Sequence, residues 1–141
     1  MHEAKKIRIE EDVTVYKVLR VFGESKNKYL SPYYVYPWVI SKRKRVPKFE
    51  LAHLERTVEN FGFINSGAYH SFKTLDAANT ELIRLVSWEK TRRNLFPYEE
   101  TREFVIGEFV IPKDSDYVYV GKYDHAEDCY ASSDLIFKKV L

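Results

Sequence analysis

The segment from Gly67 to Phe72, GAYHSF, holds the side chains best suited to chemistry in this sequence. His70 can act as a general acid or base near neutral pH, and Ser71 offers a hydroxyl group. Gly67 would let a ligand or a second backbone come close, because glycine has no side chain. In a β-strand, neighbouring side chains point to opposite faces. We therefore expect His70 and Ser71 not to form a nucleophile–base pair. The alternative interpretation is a plain core strand that leads into the following helix.

Aromatic residues crowd the segment from Tyr29 to Trp38, YLSPYYVYPW, and they make up 16% of the whole chain. Rings in such number can stack on a planar ligand, such as a nucleobase or a nicotinamide. The candidate ligand-binding residues are Tyr33, Tyr34, Trp38 and Tyr69. The alternative is an irregular segment that covers an open sheet edge, with packed rings and solvated hydroxyl groups.

A basic run follows the aromatic segment and consists of Lys42, Arg43, Lys44 and Arg45. Four adjacent cations can neutralise phosphates, and the neighbouring rings suit a single-stranded nucleic acid. The alternative is a solvated loop, because the net charge of the chain is only +2 and gives no global field for nucleic acid or membrane.

The acidic segment YDHAEDC, which ends at Cys129, brings together carboxylates, a histidine and a thiol. A metal site needs three or four ligands that converge on one ion, and this mixture of hard and soft ligands suits no single metal. We therefore predict no metal. Cys129 is the single cysteine, so the chain has no internal disulfide, which suits a reducing compartment. The sequence shows no leader and no long apolar stretch, so we expect a cytoplasmic protein without a membrane partner.

Hydrophobic periodicity predicts the elements that would position these groups. Residues 13–22, VTVYKVLRVF, form a predicted strand with one mostly buried face, on which Lys17 lies among apolar side chains. Helical spacing predicts two main helices, at about 49–60 and 75–92, and Thr74 is the expected cap of the second helix.

These elements indicate one α+β domain that spans residues 1–141. Its sheet, or sheets, would be mostly antiparallel and twisted, with two main helices. Residues 1–11 are mostly charged, and we expect them to be mobile or to form a fraying strand.

The order of several short motifs resembles that of uncharacterised small bacterial and phage proteins. These motifs include VYKVLR, SPYY, GAYHSF and YASSDLI, and together they extend over most of the chain. The resemblance implies an accessory or mobile-element context and no assigned activity.

A second resemblance is to the ADP-ribosyltransferase fold. Arg20 lies on the first predicted strand, HSFKT is similar to the serine-containing strand of that family and matches Ser71, and YASSDLI is similar to the late acidic motif. Asp134 stands there in place of the usual glutamate. The resemblance implies NAD as the cofactor and assigns these roles: Arg20 holds a phosphate, Tyr33, Tyr34 or Tyr69 stacks the nicotinamide, His70 or Ser71 binds ribose, and Asp134 is the acid.

The sequence favours a non-enzymatic binding or interaction module, because rings are abundant and no convergent catalytic constellation is readable. Its partner would be a protein or a small-molecule ligand, and no cofactor is expected. The first alternative is an ADP-ribosyltransferase-like enzyme or a degenerate NAD-binding relative, with the candidate catalytic residues Arg20, His70, Ser71 and Asp134. The second alternative is a single-stranded nucleic-acid binder that uses residues 42–45.

Overall fold

The computed structural model describes residues 5–23, 25–32, 36–45, 68–122 and 128–141. Within these ranges the chain forms one α-helix and ten mostly antiparallel strands, which amount to 20% helix and 48% strand. The molecule is therefore mainly a sheet, and the predicted α+β fold with two main helices is wrong. The predicted helix at 49–60 lies outside the described residues, and the predicted helix at 75–92 is present. The strand content agrees with the many aromatic and β-branched residues, which suit a pleated, half-buried surface.

The strands are β1 (Lys5–Ile7), β2 (Val13–Phe22), β3 (Lys28–Leu30), β4 (Pro37–Trp38), β5 (Arg43–Arg45), β6 (Tyr69–Phe72), β7 (Glu103–Ile111), β8 (Val118–Lys122), β9 (Asp128–Ser132) and β10 (Asp134–Val140). The helix, α1, spans Leu75–Leu95 between β6 and β7. The order of hydrogen-bonded strands is β1-β8-β9-β6-β2-β7-β10-β5, and β3 pairs with both β2 and β4. Strand β2 has the predicted bounds, and β1, within the stretch expected to be mobile, pairs with β8.

The connection between β9 and β10 shows that the sheet is rolled, since Ser133 alone joins these two strands. Three strands, β6, β2 and β7, lie between β9 and β10 in the sheet. In a flat sheet, four strand spacings would separate β9 from β10 by about 19 Å. Ser132 and Asp134 are only two residues apart, so the chain between them spans about 7 Å at most. The sheet must therefore curl until β9 and β10 meet, which gives it an inner and an outer face.

The inner face of the rolled sheet holds the main hydrophobic core. Its buried members are Val15, Leu19, Trp38, Phe109, Ile111, Val118, Tyr130, Leu135 and Phe137. The rings of Phe109 and Phe137 stack with their centroids 4.7 Å apart. Gly107 leaves room for them, because a Cβ atom there would lie 2.8 Å from Phe109 Cε1 and 3.0 Å from Phe137 Cε1.

Helix α1 covers part of the outer face. It begins where Thr74 Oγ1 accepts a hydrogen bond, 3.1 Å long, from the backbone amide three residues further on, as the predicted cap requires. Ala78 and Leu85 of the helix pack against Val18 of β2 and Ile106 of β7. In the part of the chain that the structure describes, no helix has both the length and the apolar character needed to cross a membrane.

Candidate ligand-binding site

A fork between two strands creates the candidate site. On one edge of β2, strand β6 pairs at Tyr16 and strand β3 pairs from Arg20 onward. None of the described strands pairs with residues 17–19 on that edge, so β3 and β6 separate there. The Lys17 side chain turns toward β6, where its Nζ donates a hydrogen bond to the backbone carbonyl oxygen of His70. This contact links β2 to β6 beyond their last backbone pairing.

Lys17 is half-buried, and its Nζ lies 5.6 Å from the centroid of the Trp38 ring. The negative face of an indole attracts a cation at this distance. Among the described residues, no carboxylate forms an ion pair with Lys17. An ammonium group has three N–H donors, and one of them is used on His70. Within the part of the chain that the structure describes, no acceptor is paired with the other two donors, and a bound acceptor can use them.

Burial lowers the pKa of Lys17 from its ordinary 10.5 to about 8, and the electrostatic attraction of nearby Cys129 opposes this change only in part. The cause is desolvation, which disfavours the charged form of a lysine. Both forms of the side chain are therefore accessible close to pH 8. The ammonium form binds anions, whereas the neutral amine acts as a base or a nucleophile.

Ser71 lies level with Lys17 on the same face of the sheet. Strands β2 and β6 are antiparallel and pair Tyr16 with Phe72, so the next position along sets Lys17 opposite Ser71. Ser71 is 3% exposed, and within the described ranges its Oγ has no hydrogen-bond partner. A buried polar group without a partner costs about 1–3 kcal/mol and is uncommon in native proteins. The Ser71 hydroxyl is therefore a second group that a ligand can satisfy.

Three aromatic rings form a wall beside Lys17. The ring centroids of Tyr36 and Trp38 are 5.2 Å apart, those of Trp38 and Tyr69 are 5.3 Å apart, and those of Tyr36 and Tyr69 are 5.7 Å apart. The two tyrosine hydroxyl oxygens are hydrogen-bonded at 2.8 Å. Trp38 is buried and donates from its indole nitrogen to Ser31 Oγ at 3.0 Å, whereas both tyrosines are half-buried. The wall is thus fixed at its base and keeps some accessible surface.

A second lysine lies against the same wall. Lys44 Nζ is 5.4 Å from the centroid of the Tyr36 ring, and Lys44 is half-buried. Lys44 faces the inner side of the sheet because its partner across β5 and β10 is Leu135, a member of the core. We call this set the aromatic–lysine site: Lys17, Tyr36, Trp38, Lys44, Tyr69 and Ser71.

The two arginines of the predicted nucleic-acid segment are held by a buried carboxylate. Arg43 Nε and Arg45 Nε donate to Asp134 Oδ2 at 2.9 and 2.8 Å. Asp134 is 0% exposed. Burial acts to raise the pKa of Asp134, but hydrogen bonds from Ser133 and the two arginines outweigh it, so this pKa lies below its ordinary value. The other two cations of the run are Lys42, which is exposed, and Lys44, which belongs to the aromatic–lysine site. The basic run therefore does not present four free charges on one face.

The candidate catalytic residues of the enzyme alternative are not brought into one cleft. Arg20 lies on the outer face of β2, whereas Ser71 lies on the inner face. His70 points away from Ser71, as strand alternation predicts, and pairs with Ala131 of β9. Strand β7 pairs with both β10 and β2, and the registers of these two pairings place Asp134 level with residue 12. It is therefore eight positions, or about 26 Å, from Arg20 along the strand direction.

The sequence identified part of this site. Trp38 and Tyr69 were predicted to bind a ligand and lie in the aromatic wall, whereas Tyr33 and Tyr34 lie outside the described residues. Lys17 was not predicted to be a site residue, although it is the charged residue on the apolar face of β2. A lysine within such an alternation is unusual, because lysine is almost never buried without a partner. The place of Lys17 within this apolar alternation was therefore the signal in the sequence that could have identified it as a site residue.

Searches of known protein families, of curated proteins and of solved structures found no match to this chain. Residues 5–23, 25–32, 36–45, 68–122 and 128–141 contain no group of three or more His, Cys, Asp or Glu side chains that could hold a metal ion. The fold and the candidate site therefore describe this protein: it is a rolled, mostly antiparallel sheet with a covering helix and an aromatic–lysine site on its inner face.

Proposed function

We propose that the protein is a non-enzymatic binding module and that its ligand is a small organic carboxylate with a planar apolar body. The carboxylate accepts hydrogen bonds from Lys17 Nζ and Ser71 Oγ. The planar body lies against the rings of Tyr36 and Tyr69. The proposal includes two further parts that rest on the sequence alone. They are an accessory role in a bacterium or phage and a cytoplasmic location.

The observation that carries this proposal is the unpartnered Ser71 hydroxyl beside the Lys17 amine, which donates to the His70 carbonyl oxygen and has no described carboxylate partner. The hydroxyl of Ser71 is buried with no described partner, and the ammonium of Lys17 has no described carboxylate. A carboxylate is an acceptor with two oxygens, so one group can meet both needs. Hydrogen bonds to charged groups contribute about 1.5–3 kcal/mol each, more than neutral ones.

The aromatic wall supports the second half of the proposal. Ligand sites in proteins are lined mainly by apolar and aromatic side chains, with a few polar groups that fix the orientation of the ligand. Tyr36, Trp38 and Tyr69 supply such a lining next to Lys17. Tyrosine and tryptophan lose little conformational entropy on binding because each has only two side-chain torsions.

A nucleic-acid role has weaker support. Arg43 and Arg45 are engaged by Asp134, which leaves few phosphate contacts for a salt-dependent interaction. The enzyme alternative also has weaker support, since Arg20, Ser71 and Asp134 do not converge.

The test uses indole-3-acetate and, as its neutral counterpart, indole-3-acetamide. Thermal unfolding is followed by circular dichroism at pH 7 with each compound at millimolar concentration. A ligand that binds only the folded protein stabilises it by about 2.7 kcal/mol at one hundred times its Kd. We expect a rise in Tm of several degrees with the carboxylate and almost none with the amide.

Two variants locate the effect. Lys17→Met should abolish the rise in Tm, whereas Lys28→Met is the matched control, because Lys28 also lies 5.6 Å from a ring, that of Phe22, but is exposed. Ser71→Ala should stabilise the ligand-free protein by removing an unsatisfied hydroxyl, yet weaken binding of the carboxylate. An equal shift with carboxylate and amide, or a shift that survives Lys17→Met, would refute the proposal. Salt-sensitive binding of a thymidine oligonucleotide that Lys17→Met leaves unchanged would favour the nucleic-acid alternative instead.

A further inference from the structure

The Lys17 amine has surroundings suited to covalent chemistry. We propose that Lys17 captures small aromatic aldehydes as a reversible imine, with the aldehyde ring held against the aromatic wall. This inference deepens the proposed function, because the aldehyde occupies the aromatic–lysine site. The chemical class of the ligand thereby extends from carboxylates to carbonyl compounds.

The geometry provides a nucleophile that ordinary surface lysines lack. The Lys17 side chain is half-buried, its Nζ lies 5.6 Å from the Trp38 ring centroid, and among the described residues it has no carboxylate partner to hold its charge. Opposite it on β7 is Gly107, and the space above that glycine is filled by the rings of Phe109 and Phe137, which helps to desolvate this part of the sheet. Only the neutral amine attacks a carbonyl carbon, and desolvated lysines are the usual source of Schiff bases in proteins.

Titration supports the same conclusion. Burial lowers the pKa of Lys17 to about 8, so the Lys17 amine is uncharged in about half of the molecules at pH 8. An ordinary lysine, with a pKa of about 10.4, has less than about 1% of the neutral form at that pH. The difference in reactive amine is therefore about two orders of magnitude, although a less basic amine is also a weaker nucleophile.

The reaction needs no oxidant or metal. The lone pair of Nζ forms a bond to the aldehyde carbon, and the carbonyl oxygen takes up a proton to give a carbinolamine. The nitrogen then loses its second proton as the hydroxyl group leaves as water, which forms the C=N bond. One amine and one aldehyde thus yield one imine and one water, and hydrolysis reverses the step.

Ser71 has a defined part in this chemistry. Its hydroxyl lies level with Lys17 on the neighbouring strand and has no described partner. It can donate a hydrogen bond to the carbinolamine oxygen, which lowers the barrier to loss of water. Ser71 is therefore expected to accelerate formation of the imine without being attacked itself.

The experiment uses 2-naphthaldehyde and sodium cyanoborohydride, which reduces an imine to a stable amine. The full-length protein is treated at several pH values from 6 to 9, and the labelled lysines are identified by peptide mass spectrometry. Lys17 should be labelled at least about tenfold faster than Lys28 at pH 7, allowing for the weaker nucleophile. Its labelling rate should rise with a midpoint near pH 8.

Two variants separate reactivity from folding. Lys17→Arg keeps the charge and should give no adduct at that position, while its thermal unfolding shows that the protein is folded. Ser71→Ala should slow labelling of Lys17 several-fold and leave labelling of Lys28 unchanged. Labelling of Lys17 no faster than that of Lys28 would overturn the inference.

The outcome is distinguishable from failure of the proposed function. A rise in Tm with indole-3-acetate together with slow labelling of Lys17 would overturn the imine alone. Fast labelling of Lys17 without any effect of indole-3-acetate would support the imine and overturn the carboxylate ligand.

Discussion

Replacement of Lys17 by methionine should change how the stability of the protein depends on pH. The folded protein holds this amine at a pKa of about 8, against its ordinary 10.5. Because the folded pKa is the lower one, the unfolded chain binds more protons between these two values. Stability therefore rises with pH through that window and carries the full penalty below it.

The magnitude follows from the two pKa values. Their difference corresponds to a penalty of about 3 kcal/mol when both states are protonated. Near pH 10 the folded amine is neutral and the unfolded amine is mostly still charged, so about 2–3 kcal/mol of this penalty has been relieved relative to pH 7. Methionine has a similar length and does not titrate. Between pH 7 and pH 10, the free energy of unfolding of the wild type should therefore rise by about 2–3 kcal/mol relative to that of Lys17→Met.

The assay is urea denaturation of both proteins at pH 7, 8, 9 and 10, followed by far-ultraviolet circular dichroism. Comparing the two proteins at each pH cancels the titration of tyrosines and of the other lysines. Lys28→Met is the control and should keep a constant difference from the wild type, because that side chain is exposed. A difference between wild type and Lys17→Met that stays within about 0.5 kcal/mol over this range would refute the assignment of Lys17 as a desolvated amine.

Two further predictions concern the frame around the site. Asp134→Asn should lower the free energy of unfolding by about 2–4 kcal/mol at pH 7, because it removes the buried charge that Arg43 and Arg45 share. The folded pKa of Asp134 lies below its ordinary value, so this loss should shrink as the pH falls below about 4, and equal losses at pH 3 and pH 7 in urea titrations would contradict the ion network. Gly107→Ala should cost about 1–3 kcal/mol, because its Cβ would lie 2.8 Å from Phe109 Cε1 inside a packed core; an unchanged Tm would show that the core is looser than the structure indicates.

Local pattern was enough to predict the elements with the strongest periodicity. Strand β2 runs over Val13–Phe22, as its alternation predicts, and helix α1 begins directly after Thr74. Both depend on neighbouring residues only, since alternation and capping act over a few positions.

The roll of the sheet could not be predicted in the same way. It depends on the pairing of β6 with both β2 and β9, and of β10 with β7, which are contacts between distant parts of the chain. The fork at residues 17–19 exists only because β3 and β6 share one edge of β2. No local pattern contains that information, and this is why Trp38 and Tyr69 were recognised as aromatic candidates while their lysine partner was not.

The basic run shows how carboxylates distant in sequence hold the two arginines of β5 outside the aromatic–lysine site. Strand alternation alone divides Arg43 and Arg45 from Lys44, because neighbouring side chains face opposite sides. What holds the arginines on the outer face is Asp134, about ninety residues away in sequence, at hydrogen-bond distances of 2.9 and 2.8 Å. Asp114 also pairs with Arg43, at 3.1 Å, so the two arginines share two carboxylates. By alternation, β5 contributes one cation, Lys44, to the inner face. The aromatic–lysine site therefore has two isolated ammonium groups against rings, an arrangement that suits one small anion better than a chain of phosphates.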